Sequence, residues 1–127
     1  MTLTSIDAHL SVQDVRASVD WFRHVLGFRL ETCAGEPPDY AEIRRCATRI
    51  ALRGITGPGL TANVIEGQEP MAASIELDDL QTLQDLYERA RITGAFISRK
   101  IEAKPWGAWV FVMRDLDGNL LLLSAPQ

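Results

Sequence analysis

His9 stands in the run Ile6-Asp7-Ala8-His9-Leu10-Ser11-Val12, where polar and apolar residues alternate. In an extended strand that alternation puts Asp7, His9 and Ser11 on one face and Ala8, Leu10 and Val12 on the other. A histidine beside a carboxylate such as Asp7 or Glu42 is the pair that general-base chemistry needs. Glu42 and Glu76 also fall on polar strand faces. His9, Glu42 and Glu76 could therefore supply an altered three-donor set for a divalent cation. The other histidine, His24, falls near a helix C-terminus, where a cation suits the dipole. Cys33 and Cys46 do not form a C-x-x-C pair and read as two reduced thiols of a cytoplasmic protein. No G-x-S-x-G elbow, phosphate-binding glycine loop or activated-cysteine context occurs.

The bulk properties narrow the function classes. A chain of 127 residues fits one domain, residues 1–127, with room for a real core. Its net charge of −4 argues against a nucleic-acid partner, because phosphate binding needs clustered Lys and Arg. The N-terminus lacks a basic stretch followed by an apolar run, so no signal peptide is expected. The apolar run Leu120 to Leu123 is far too short to span a bilayer, and no membrane partner is expected.

The elements that would position these side chains occur twice. Ile6 to Leu30 and Met71 to Ile97 each read as an alternating strand, an Asp, an amphipathic helix, a Gly and a second strand. Asp14 and Asp79 stand where helix N-caps belong. Val15, Val19, Phe22 and Leu26 recur at helical spacing after the first; Leu80, Leu83, Tyr87 and Ala90 do so after the second. Gly27 and Gly94 fall where left-handed C-caps are wanted. Each half then continues strand, turn, strand, from Tyr40 and from Val110, and Asp117-Gly118 is a hairpin signal. The chain therefore reads as two β-α-β-β-β modules, residues 5–56 and 71–125, joined by a Pro- and Gly-containing linker over 57–70. The expected fold is α+β: a curved, mostly antiparallel sheet with the helices on its outer face. The loop from Glu31 to Asp39 is expected to border the cleft.

Two runs carry a family resemblance. VQDVRASVDWFRHVLGF and PWGAWVFVMRDLDGNLLLL resemble the first-helix and closing patterns of the vicinal oxygen chelate superfamily, the glyoxalase, bleomycin-resistance and dioxygenase group. Metal-dependent members place four ligands on the inner sheet face, usually His or Glu. One lies on the first strand of each half, seven residues before the capping Asp; the other lies on the last strand. Carried onto this sequence, those positions read Asp7, Leu52, Ala72 and Leu122. One carboxylate and three aliphatic side chains cannot hold Fe, Zn, Ni or Mn, which need several converging N or O donors. The resemblance therefore implies no metal and no cofactor.

It implies further a small-molecule binder akin to the bleomycin-resistance branch, whose members sequester antibiotics as homodimers with clefts between subunits. The alternative is a glyoxalase- or dioxygenase-like lyase or oxygenase, using the altered metal set or His9 acid–base chemistry. By parity the inner face would show Asp7, His9, Ser11, Tyr40, Glu42, Arg44 and Leu52. The second half would add Ser74, Glu76, Val110, Val112, Arg114 and Leu122. Trp106 and Trp109 could stack on a flat ring of the ligand. Such a wall suits an organic molecule of moderate size with a few polar anchors.

Overall fold

The computed structural model describes residues 2–3, 7–55 and 71–127. The expected linker, residues 57–70, lies outside the described residues, as do residues 5, 6 and 56 of the first module. The first module comprises β1 (Ala8–Val12), α1 (Val15–Leu26), β2 (Arg29–Ala34), β3 (Tyr40–Arg45) and β4 (Thr48–Gly54). The second comprises β5 (Ala73–Glu76), α2 (Leu80–Ile92), β6 (Ile97–Lys104), β7 (Ala108–Arg114) and β8 (Leu120–Pro126). The fold is the expected α+β duplication. Each module forms its own four-stranded mixed sheet, in the orders β1-β4-β3-β2 and β5-β8-β7-β6. The first strand of each module runs parallel to the last, and the remaining pairs are antiparallel.

Both helices start where the capping aspartates place them. The Asp14 carboxylate accepts from the Ala17 N–H at 3.0 Å, and the Asp79 carboxylate accepts from the Thr82 N–H at 2.8 Å. These satisfy amides that no carbonyl within the helix can reach. Gly27 closes α1 in the left-handed region, with φ 73°. Two guanidinium groups then cap the last carbonyls of α1. Arg45 donates to the Leu26 carbonyl, while Arg89 of the second module donates to those of Arg23 and His24. Cations suit this end of a helix, and here arginines supply the charge expected of His24. In the second module α2 ends on Thr93, and the left-handed residue Gly94 (φ 80°) follows it.

The helices bury one face of each sheet in a core shared by the two modules. Leu10, Val12, Ala41, Ile43, Ile50 and Leu52 meet Val19, Phe22 and Leu26 in the first; Phe111, Met113, Leu121 and Leu123 meet Leu83, Leu86 and Ala90 in the second. Strand β2 differs from its neighbours, because all six of its residues are exposed. It also runs to Ala34, pairing Ala34 with Tyr40, so the expected loop from Glu31 shrinks to residues 35–39.

The β7–β8 turn joins the modules. Asp115 and Asn119 are buried there. Asn119 donates from Nδ2 to the Asp115 carboxylate and to the Ser11 carbonyl on β1, both at 3.0 Å. The Asp117 carboxylate accepts from the Gln13 N–H at 3.0 Å and from the Ser18 hydroxyl at 3.4 Å, at the start of α1. Gly118, at φ 89°, supplies the positive φ that this turn requires. The Asp-Gly-Asn sequence is thus both a hairpin and a link to the other module.

Candidate functional site

The face of each sheet away from the helices follows from register. On the first sheet His9 pairs with Ala51, and Ala51 with Glu42; Ser11 pairs with Arg53, and Arg53 with Tyr40; Arg49 pairs with Arg44. Asp7 precedes β1 with the parity of His9. The open face therefore presents Asp7, His9, Ser11, Tyr40, Glu42, Arg44, Arg49, Ala51 and Arg53. Leu52 is not among them. It points to the helix side, is fully buried, and belongs to the core. The register is one residue from that expected, and the fourth family position falls on Ala51.

On the second sheet Ser74 pairs with Leu122 and Leu122 with Val112; Glu76 pairs with Ser124 and Ser124 with Val110. The side of this sheet away from the helices has an apolar centre of Val110, Val112, Leu120 and Leu122, of which the first three are buried and Leu122 is half-buried, with Ser74, Glu76 and Arg114 around it. Trp109, expected on this face, is also absent from it. It pairs with Ala125 and packs against the helix-side core, so its ring is not on this face. Trp106 sits in the β6–β7 turn and is 72% exposed. Arg114 donates to the Gly118 carbonyl at 2.9 Å, helping to fix the modular link, and lies over the Phe96 ring.

The polar groups of the first face are matched among themselves. Arg49 grips the Asp7 carboxylate with two bonds, Nη2 to Oδ2 at 2.6 Å and Nε to Oδ1 at 3.2 Å. Arg44 donates to Glu31 at 2.6 Å. The Tyr40 hydroxyl donates to Glu42 at 3.0 Å, which together with burial raises the phenol above its ordinary value. Arg53 donates from Nε to His9 Nδ1 at 3.2 Å, and its guanidinium lies 5.7 Å from the Tyr40 ring centre. His9 is thus engaged by an arginine. The carboxylates expected to orient it, Asp7 and Glu42, have other partners.

The Arg49 bond holds the Asp7 carboxyl below its ordinary value of 3.8. A depressed aspartate stabilises the fold above its ordinary value, and that contribution disappears as the pH falls through the depressed one. The stability difference between wild type and Asp7→Asn should therefore stay constant above about pH 5 and shrink as the pH falls through the ordinary value and below it. Urea melts above and below that value test this, and a difference that does not shrink below it would contradict it.

The four family metal positions now read Asp7, Ala51, Ala72 and Leu122. The single donor among them is committed to Arg49. This set does not fit a divalent cation, which needs several converging lone pairs. The alternative set of His9, Glu42 and Glu76 is not grouped in the chain either. Among the described residues, no three His, Cys, Asp or Glu side chains are grouped to hold a metal.

Among the described residues, clefts are formed elsewhere. One, of about 300 Å³, lies between the β3–β4 turn and the β5–α2 corner, with Leu26, Phe28, Cys46, Glu76, Asp78 and Leu86 in its wall. Another lies beside the start of α1, against Pro37 and Pro38. Neither is lined by His9, Tyr40, Val112 or Leu122.

The sequence parity on β4 missed Arg49 and Arg53. The available signal was the alternation of Arg49, Ala51 and Arg53 with Ile50 and Leu52; in the structure the turn at Cys46-Ala47 pairs Arg45 with Thr48 and so sets every partner beyond it.

Two modules, each with a helix-covered face and an open face carrying ligand-type side chains, define a class of small duplicated α+β proteins. The chain belongs to the Glyoxalase/Bleomycin resistance protein/Dioxygenase superfamily, which it matches over residues 4–123. Among solved structures it resembles TioX from Micromonospora sp. ML1, at 25% identity and a TM-score of 0.72, over 98% of this chain and 97% of that one. It resembles a glyoxylase/bleomycin resistance protein/dioxygenase domain from Frankia sp. EAN1pec at 22% identity and a TM-score of 0.81, over 99% and 94%. The fosfomycin resistance protein FosX from Listeria monocytogenes follows at 12% identity and 0.75, over 100% and 96%. The last two likenesses speak for the fold alone. No curated protein matches the chain.

Proposed function

We propose that this protein binds a small organic molecule on its open sheet faces, without a metal, and sequesters it rather than transforming it. The observation that carries this reading is the donor set. Asp7, Ala51, Ala72 and Leu122 stand where metal-dependent relatives hold their ligands, and Arg49 occupies the one carboxylate. What remains is a polar wall on the first sheet and an apolar wall on the second. Asp7, His9, Tyr40, Glu42, Arg44 and Arg53 would contact the ligand from the first, Val112 and Leu122 from the second, and Glu76, Trp106 and Arg114 from the margins. That combination suits an amphipathic organic ligand.

The protein would act as a homodimer, the first sheet of one copy closing over the second sheet of the other. Resistance by drug sequestration is the biological role that fits such a binder. The net charge of −4 argues against nucleic acid. Among the described residues no helix is long and apolar enough to cross a membrane. The exposed thiols of Cys33 and Cys46 suit a reducing, cytoplasmic setting.

Elemental analysis of the purified protein, followed by calorimetric titration with Ni, Zn, Fe and Mn, tests the reading. The expected result is no stoichiometric metal and no binding heat, with a particle mass about twice the 14.1 kDa of one chain. Close to one metal per chain would overturn it and point to an enzyme.

A further inference from the structure

Four arginines stand on the open face of the first sheet by register, and they are not equivalent: the side chain of Arg29, on the rim strand β2, is held by no hydrogen bond among the described residues. Arg44 and Arg49 each contact a carboxylate at 2.6 Å, those of Glu31 and Asp7. Arg53 has no carboxylate partner among the described residues. Its Nε is taken by His9 Nδ1 and its plane is held near the Tyr40 ring, so the side chain is oriented. Its two terminal nitrogens make no hydrogen bond among the described residues, and the side chain is exposed. An oriented, charged fork with unused donors is what recognises a planar oxyanion by paired hydrogen bonds.

The surroundings add to this. Because His9 Nδ1 accepts from Arg53, the neutral ring carries its proton on Nε2, a further donor on the same sheet face. Ser11, paired with Arg53 across β1 and β4, contributes a hydroxyl. The nearby carboxylates of Asp7 and Glu42 are already engaged by Arg49 and Tyr40.

We propose that Arg53, positioned by His9 and Tyr40, anchors a carboxylate of the bound molecule, so that the ligand is a small organic anion. This rests on the ligand-binding reading above and narrows it. Arg53 pairs with the carboxylate; His9 and Tyr40, besides facing the ligand, position Arg53.

The test is an NMR titration of the isotopically labelled protein with benzoate, benzamide and phenylphosphonate. Benzoate should shift the Arg53 Nε–H and His9 ring signals and bind at least about tenfold more tightly than benzamide, because only the anion meets the fork. R53M should remove that preference while keeping the wild-type spectrum elsewhere. H9A should weaken benzoate binding, and H9N, which restores an acceptor beside Arg53 Nε, should recover it. Tighter binding of phenylphosphonate than of benzoate would overturn the carboxylate assignment in favour of a tetrahedral oxyanion. Equal binding of benzoate and benzamide, or unchanged benzoate binding by R53M, would overturn the anchor and leave ligand binding itself standing. Stoichiometric metal uptake would instead defeat the underlying reading, whatever Arg53 does.

Discussion

Replacing Phe22 by alanine should cost about 3–5 kcal/mol, the range found when a fully buried aromatic is truncated. Phe22 is fully buried on the core face of α1. Its ring meets Trp21 edge-on at 4.9 Å between centroids and Phe28 at 5.8 Å. Truncation loses the transfer energy of the ring, both aromatic contacts and the packing around the space left behind. The helix and the sheet it covers share that loss, because the core residues of both modules form one cluster. Domains of this kind have only about 5–15 kcal/mol in total, so the variant should sit near its unfolding threshold at room temperature. Equilibrium urea unfolding measures this. Phe22→Leu, which keeps most of the volume, should lose markedly less. A loss below about 1.5 kcal/mol for Phe22→Ala would mean that the core closes over the gap and that the helix is not anchored there.

Asn119→Ala should cost about 2–3 kcal/mol, because it leaves buried polar partners without their donor. The amide of Asn119 serves the Ser11 carbonyl of the first module and the Asp115 carboxylate of the second. Burial pushes the Asp115 carboxyl above its ordinary value, and donors from Asn119 and Asp117 act against that shift. Removing one donor raises the value further. A raised aspartate costs stability as the pH climbs through its folded value, since the charged form must then be buried. The deficit of the variant should therefore be larger at about pH 7 than at about pH 4. Urea melts at the two values decide the matter. A deficit independent of pH would show that the Ser11 contact alone matters.

Much of the fold was legible because local rules and burial agree. The alternation of β1, the caps at Asp14 and Asp79 and the glycine after α1 each have a direct physical cause. The parity of β4 was written in the sequence but overridden: Arg49, Ala51 and Arg53 alternate with Ile50 and Leu52, and matching Leu52 to Leu122 across the two modules set that alternation aside. On β7 no such signal exists, because Val110, Phe111, Val112 and Met113 are buried in succession and give no clue to the side on which Trp109 lies. The turn that sets the β4 register uses Cys46 at φ 54°, a residue type that does not announce a left-handed turn. The polar half of the candidate site was visible as Asp7, His9, Tyr40, Glu42 and Arg44. Arg49 and Arg53, which decide what those groups do, were hidden behind the one-residue slip.

The fully exposed β2 strand has a consequence for how copies of this chain behave at high concentration. It forms one rim of its sheet, with β3 on one side only. An open rim of backbone donors and acceptors is a template on which further strands can grow. Here the register shifts between Leu30 and Thr32, with charged Glu31 in the shift and Arg29 just before it. Strand β6, the corresponding rim of the other sheet, has two such shifts and carries Arg99, Lys100, Glu102 and Lys104. Duplication doubled the number of outer rims, and each is both bent and charged, which opposes runaway strand-by-strand polymerisation.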